Sequence, residues 1–317
     1  MAGRSGRKKR GGRQRRNPAS ELTEDLLVEI LSRVPYKSLC RFRCVSRGWS
    51  MLISHPDHRR KLPQSLVGFF FASHDGNRYP ESARHFVNVS SRDRRPPFIH
   101  PSLSFLPNPD CDYLQLLFSC NGLVLCSYYQ PGAPVTYIVV NPATDKWVDV
   151  PVSPRWSDKP PTIVRLGFDP AISSHFHVFA FDIDSGGAAD NVEGIVLGVD
   201  IYSSKTRLWS YKPCGSEIWM NSDSISRSVF LDGMLYMVAL DHVVVAVDVD
   251  GKTWRVIDMP FRSLYSVEII DLSQGRLHVT IIDNLPTTKL SIWILDHASE
   301  EWALKHASFH HNGMYPP

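Results

Sequence analysis

Four times in the chain an apolar, strand-like run is followed by a short polar turn and then by tryptophan: VVNPATDKW ending at Trp147, VDIYSSKTRLW at Trp209, VDVDGKTW at Trp254 and ILDHASEEW at Trp302. The intervals are 62, 45 and 48 residues, a self-similarity that confines this region to folds in which one supersecondary unit packs on the next. Upstream of three of these tryptophans a glycine opens another apolar run, NGLVLC at Gly122, DGMLYMVA at Gly233 and QGRLHVTII at Gly275. Glycine permits a tight hairpin turn, alternating β-branched residues such as Val243, Val245 and Val247 make a strand face, and a tryptophan fills the gap between neighbouring sheets. The unit is therefore a pair of hairpins, and residues 65–317 hold five or six such blades of about 45 residues, with the long first interval explained by an insertion at Ser185–Gly194.

The chain before this region follows another rule. Over residues 21–64 the apolar positions recur at helical spacing. Thr23 is placed to cap a first helix with Glu24 and Asp25 in its first turn, and Leu26, Leu27, Ile30, Leu31 and Val34 follow before Pro35 stops it. Ser38 is placed to cap a second helix with Leu39, Phe42 and Val45. Ser46 is placed to cap a third with Trp49, Leu52 and Ile53 before Pro56. A unit this small buries little surface, so it is expected to rely on a partner.

The stretch ELTEDLLVEILSRVPYKSLCRFRCVSRGWSMLISHP resembles an F-box, through Leu22, Asp25, Leu26, Leu27, Glu29, Ile30, Leu31, Val34, Pro35, Lys37, Ser38, Leu39, Arg41, Phe42, Arg43, Val45, Arg47 and Trp49. Thr23 and Ser46 depart from the family's usual Pro and Cys, and weaker adaptor binding is the expected consequence. The repeats NGLVLC, NPATDKW, GFDP, VDIYSSKTRLWS, LDGMLYMVA, SQGRLHV and WILDHASEEWALKH are similar to the kelch-like, F-box-associated domain of plant F-box proteins, while Leu66–Cys111 shows this grammar poorly. The resemblance implies a small all-α F-box followed by an all-β, kelch-like propeller. It also implies the role of substrate-recognition subunit of an SCF-type cullin ubiquitin ligase. In that role the F-box docks on a Skp-type adaptor, and through it on a cullin, while the propeller holds a target protein. Leu22, Leu26, Ile30, Leu31, Pro35, Leu39, Val45 and Trp49 are the expected adaptor-facing and core set, which periodicity alone does not divide.

Charge is distributed unevenly. Met1–Arg16 holds Arg4, Arg7, Lys8, Lys9, Arg10, Arg13, Arg15 and Arg16 and no acid, whereas the whole chain nets only +3, so the remainder is mildly acidic. Residues 1–20 read as a disordered basic tail and hinge that cannot bury an apolar face. Arg7, Lys8, Lys9, Arg10, Arg13, Arg15 and Arg16 suit an importin, which places the protein in the nucleus as well as the cytoplasm. Specific nucleic-acid binding is not expected, because no aromatic residue interleaves the basic ones to stack on bases. The longest apolar runs fall well short of the roughly 20 residues that span a membrane.

No catalytic constellation can be assembled: GxSxG, Walker A, Rossmann and HExxH patterns are all missing. His175 and His177 alternate on one strand, and Cys40 and Cys44 lie one helical turn apart, yet neither pair has the further ligands a zinc site needs. A non-catalytic protein without cofactor or metal is the expectation. Trp156 and Trp219 stand outside the repeat grammar and are the candidates for a target-recognition surface. The competing reading is a carbohydrate-binding or other ligand-binding propeller that takes no part in ubiquitination.

Overall fold

The computed structural model describes residues 22–34, 36–42, 45–55, 58, 62, 68–75, 79–88, 103–106, 114–128, 134–156, 161–170, 172–186, 193–221, 228–260, 266–273, 275–283, 288–297 and 299–310. The basic segment of residues 1–20, Pro35 and Cys44 lie outside them. The chain divides into two compact units, Met1–Ser65 and Leu66–Pro317.

The first unit has three helices, α1 (Glu24–Ser32), α2 (Tyr36–Phe42) and α3 (Arg47–Ser54). Thr23 occupies the N-cap position of α1, but its hydroxyl makes no capping bond, so Glu24 and Asp25 are left to favour the helix start by charge alone. Ser38 caps nothing, because α2 already begins at Tyr36 and places it inside the helix. Ser46 does cap α3, accepting a bond from the Trp49 backbone N–H at 3.2 Å. Val28, Leu31, Leu39, Leu52, Ile53 and Leu62 form the buried core, and Phe42 meets Trp49 edge to face at 5.5 Å.

The second unit is built from antiparallel meanders. Hairpin β1 (Gly68–Asp75) and β2 (Tyr79–Asn88) precedes sheet one, β3 (Leu114–Cys120), β4 (Leu123–Tyr128), β5 (Thr136–Asn141) and β6 (Lys146–Val150). Sheet two is β7 (Ile163–Gly167), β8 (His177–Asp184), β9 (Glu193–Ser203) and β10 (Leu208–Pro213), with short β11 (Trp219–Asn221) also paired to β9. Sheet three is β12 (Ser228–Leu231), β13 (Met234–Ala239), β14 (Val243–Asp248) and β15 (Trp254–Asp258); sheet four is β16 (Ser266–Ser273), β17 (Arg276–Asp283), β18 (Thr288–Asp296) and β19 (Glu301–His310). Four four-stranded meanders and one hairpin are thus present among the described residues, an arrangement consistent with a propeller. The expected count of five or six blades falls partly on residues outside them.

Local chemistry accounts for the repeat. Asn121 and Gly122, and likewise Asp232 and Gly233, both take positive φ between paired strand ends, the two-residue hairpin geometry that suits the right-handed twist of strands. A single left-handed residue two positions before the tryptophan turns the chain at Asp145, Arg207 and Glu300. β14 is buried on both faces. Val245 and Val247 join the core shared with sheets one and two, while Val244 and Ala246 join the core shared with sheet four. Each sheet thereby serves as a wall for the next, and a meander that could not stand alone is stabilised from both sides.

Candidate functional site

In the helical unit, burial divides the apolar set. Val28, Leu31 and Leu39 are core. Leu22, Leu26 and Ile30, at a spacing of four, line one side of α1 and its approach; Leu26 and Ile30 are each about half exposed, at 52% and 50%. Val45 and Met51 are exposed as well, and Trp49 is half-buried against Phe42. Met51 lies outside the set expected from the sequence; its place on α3 between buried Leu52 and half-buried Ser50 gives no periodic signal that separates it from the core. The side chains of Pro35 and Cys40 lie outside the described residues, as does all of Cys44.

In the β-unit three of the four repeat tryptophans, Trp209, Trp254 and Trp302, bridge sheets. Trp209 of sheet two donates its indole N–H to the Pro151 carbonyl just past β6 at 2.6 Å, and Trp302 of sheet four donates to the Asp258 carbonyl at the end of β15 at 2.8 Å. Trp254 of sheet three meets Phe181 of sheet two edge to face, with ring centroids 6.3 Å apart, and its buried indole N–H has no bond.

Trp156 sits in a one-turn 3-10 segment, Pro154–Trp156, and belongs to a packed cluster. Its ring lies between Trp209, at 4.6 Å, and Tyr137, at 5.7 Å, and its N–H donates to the Asp200 carboxylate at 3.1 Å. Asp200, only 4% exposed, also accepts from the Ser153 hydroxyl at 3.3 Å and lies 3.8 Å from Arg155 Nε. Arg155 in turn reaches Asp182 at 3.4 Å and covers the Tyr211 ring at 3.7 Å. Burial raises the Asp200 pKa above the ordinary carboxylate range, and the bonds from Trp156 and Ser153 and the Arg155 charge hold it back. The expectation of a loop tryptophan free for recognition gives way here to a ring with both neighbours and its N–H engaged. No local signal betrays this cluster, because Asp200 stands 44 residues from Trp156.

Trp219 differs. It lies on edge strand β11 and is 41% exposed, and its N–H donates to Glu217 Oε1 at 3.2 Å. Of the eight tryptophans it alone is exposed, the others being half-buried.

The remaining chemistry-bearing groups do not converge. Burial pushes the Cys120 thiol up to about 12 despite its bond to the Phe168 carbonyl, which leaves no thiolate at neutral pH. His177 is held below the ordinary imidazole value, first by burial, with the Asp250 charge opposing and the His175 charge adding to the effect. Among the described residues no group of three His, Cys, Asp or Glu could hold a metal ion.

Comparison with known proteins places these two units. Residues 19–61 match the F-box domain family, and residues 95–317 match the family described as F-box protein At3g26010-like, beta-propeller. F-box protein At5g07610 of Arabidopsis thaliana is 24% identical over 96% of this chain and 75% of its own length. Putative F-box protein At1g47790 of the same plant is 27% identical over 94% of this chain and 75% of its own. A solved oligogalacturonate lyase in complex with manganese aligns at a TM-score of 0.37 and 10% identity, over 58% of this chain and 50% of that one, a likeness that carries no argument.

Proposed function

The chain belongs to the family of F-box proteins with a C-terminal At3g26010-like β-propeller, and on that premise we propose that it serves as the substrate-recognition subunit of an SCF-type cullin ubiquitin ligase. The observation that carries the proposal is the exposed apolar row Leu22, Leu26 and Ile30 on a unit whose own core is already filled by Val28, Leu31, Leu39, Leu52 and Ile53. Apolar side chains left in water on so small a unit are what a Skp-type adaptor would cover, and Val45, Met51 and the half-buried Trp49 extend the same supply. Pro35 belongs to the proposed set by resemblance.

In this reading the protein catalyses nothing. It acts by proximity: the adaptor and cullin hold the F-box, the propeller holds the target, and the effective concentration of target lysines near the ubiquitin-loaded enzyme rises. The basic residues Arg7, Lys8, Lys9, Arg10, Arg13, Arg15 and Arg16 serve an importin, so that the ligase works in the nucleus as well as the cytoplasm. Affinity purification of the full chain from plant cells with the proteasome inhibited tests the role. Recovery of a Skp-type adaptor and a cullin is expected, and their consistent lack would reject it.

A further inference from the structure

The outward face at one end of sheet two combines the exposed tryptophan with exposed carboxylates, of which Asp184 accepts the Gly186 backbone N–H at 3.0 Å and Glu217 the Trp219 indole N–H. Asp184 of β8, Ile195 of β9 and Trp219 of β11 stand directly opposite one another across three strands, so their side chains share one face. Glu193 flanks Ile195 on that face at strand spacing, Leu197 stands exposed at the bulge where β8 and β9 shift register, and the bond from Trp219 to Glu217 brings a further carboxylate to the ring. The other face at this point, Gly194, Val196, Ile218 and Met220, is buried. Asp184, Glu193, Glu217 and Leu197 are exposed, the last at 45%, and among the described residues none of the three carboxylates has an ion-pair partner.

We infer that this face is where the propeller takes hold of its target, and that it accepts a protein segment presenting a lysine or arginine beside an apolar side chain. The inference rests on the substrate-receptor reading and names the chemistry of the target. A cation over the Trp219 indole is attracted by the ring's negative face, while Asp184, Glu193 and Glu217 lower its energy from the sides. Ile195 and Leu197 offer apolar contact to the neighbouring side chain, the aromatic-anchored arrangement common at interface centres. Three carboxylates repel phosphate, which sets nucleic acid aside as the occupant of this face. The repeat itself does not require the patch: the tryptophans of the repeat are half-buried, whereas Trp219 lies on a fifth strand that, among the described residues, sheets one, three and four do not have.

The test uses the full chain co-purified with a Skp-type adaptor and a library of short random peptides. Selection of peptides carrying Lys or Arg next to an apolar residue is expected. The selected peptide should bind at least about tenfold more weakly to Trp219→Ala and to a Glu193→Lys, Glu217→Lys double variant, and more weakly at higher salt. Both variants change exposed side chains, and retained thermal midpoints and adaptor binding in the same preparations show that they fold. No selection, selection of peptides without basic residues, or binding indifferent to both variants would overturn the inference. Failure of the wild type to hold the adaptor would strike the receptor reading instead, and peptide selection would still decide this surface.

Discussion

The indole N–H of Trp302 donates to the carbonyl of Asp258 at 2.8 Å, and Asp258 stands four residues beyond Trp254, the tryptophan of the preceding sheet. Trp209 repeats the relation with Pro151, four residues beyond Trp147. One sheet's tryptophan thus clasps the end of the previous sheet's outer strand, and the repeat in sequence becomes a repeat of inter-sheet hydrogen bonds. The clasp is missing at Trp254, whose N–H is buried without a bond, at the seam where sheet two continues past Pro213 into the excursion that carries β11.

Trp302→Phe keeps an aromatic ring and removes the bond, so it should cost about 0.5–1.5 kcal/mol in urea unfolding. Trp254→Phe removes an N–H that bonds nothing and should cost less than Trp302→Phe. The reverse order would contradict the clasp.

Asp200→Ala leaves the Trp156 N–H and the Ser153 hydroxyl without their acceptor and should lose roughly 2–3 kcal/mol. Asp200→Asn keeps an acceptor and should lose less. Because burial raises the Asp200 pKa in the folded chain, the stability that its protonated form contributes is present below the ordinary carboxylate range and is lost as pH rises through the raised value. The deficit of Asp200→Asn against wild type should therefore shrink as pH rises from about 4. A deficit that grows with pH would contradict this account.

His177 titrates with the opposite consequence. Its pKa is lowered in the folded chain, so its contribution to stability is present above the ordinary imidazole value of about 6.5 and is lost as pH falls through the lowered one. Thermal midpoints of wild type should drop on acidification through this window, and those of His177→Gln should drop less. Parallel profiles would show that other groups govern the acid limb.

Removing Met1–Arg16 should leave the thermal midpoint and adaptor binding unchanged and shift a fluorescent fusion from nucleus toward cytoplasm. An unchanged distribution would reject the import role.

Much of this architecture is legible in the sequence because the repeat encodes it twice, once in turn glycines and once in tryptophans. Gly122 and Gly233 mark hairpins that only positive-φ residues can close, and Trp209 and Trp302 lie where sheets meet. Where interactions are distant, the sequence is silent: nothing near Trp156 indicates Asp200, and so a packed ring looks like an exposed one. Helix periodicity marks Leu26, Ile30 and Leu31 alike as apolar, and only the packing of α1 against Leu52 and Ile53 separates Leu31 from the two that face water. Ser38 shows the limit at helix ends, where a good capping residue lies two positions inside a helix that starts without it.

Binding of a purified Skp-type adaptor to the wild-type chain and to a Leu26→Asp, Ile30→Asp double variant tests whether the exposed side of α1 is an adaptor surface. Both side chains face water in the free unit, so the variant should keep its fold and thermal midpoint. Two carboxylates placed in an apolar contact should weaken adaptor binding by at least about 100-fold. Equal affinity of the folded variant and the wild type would contradict the account.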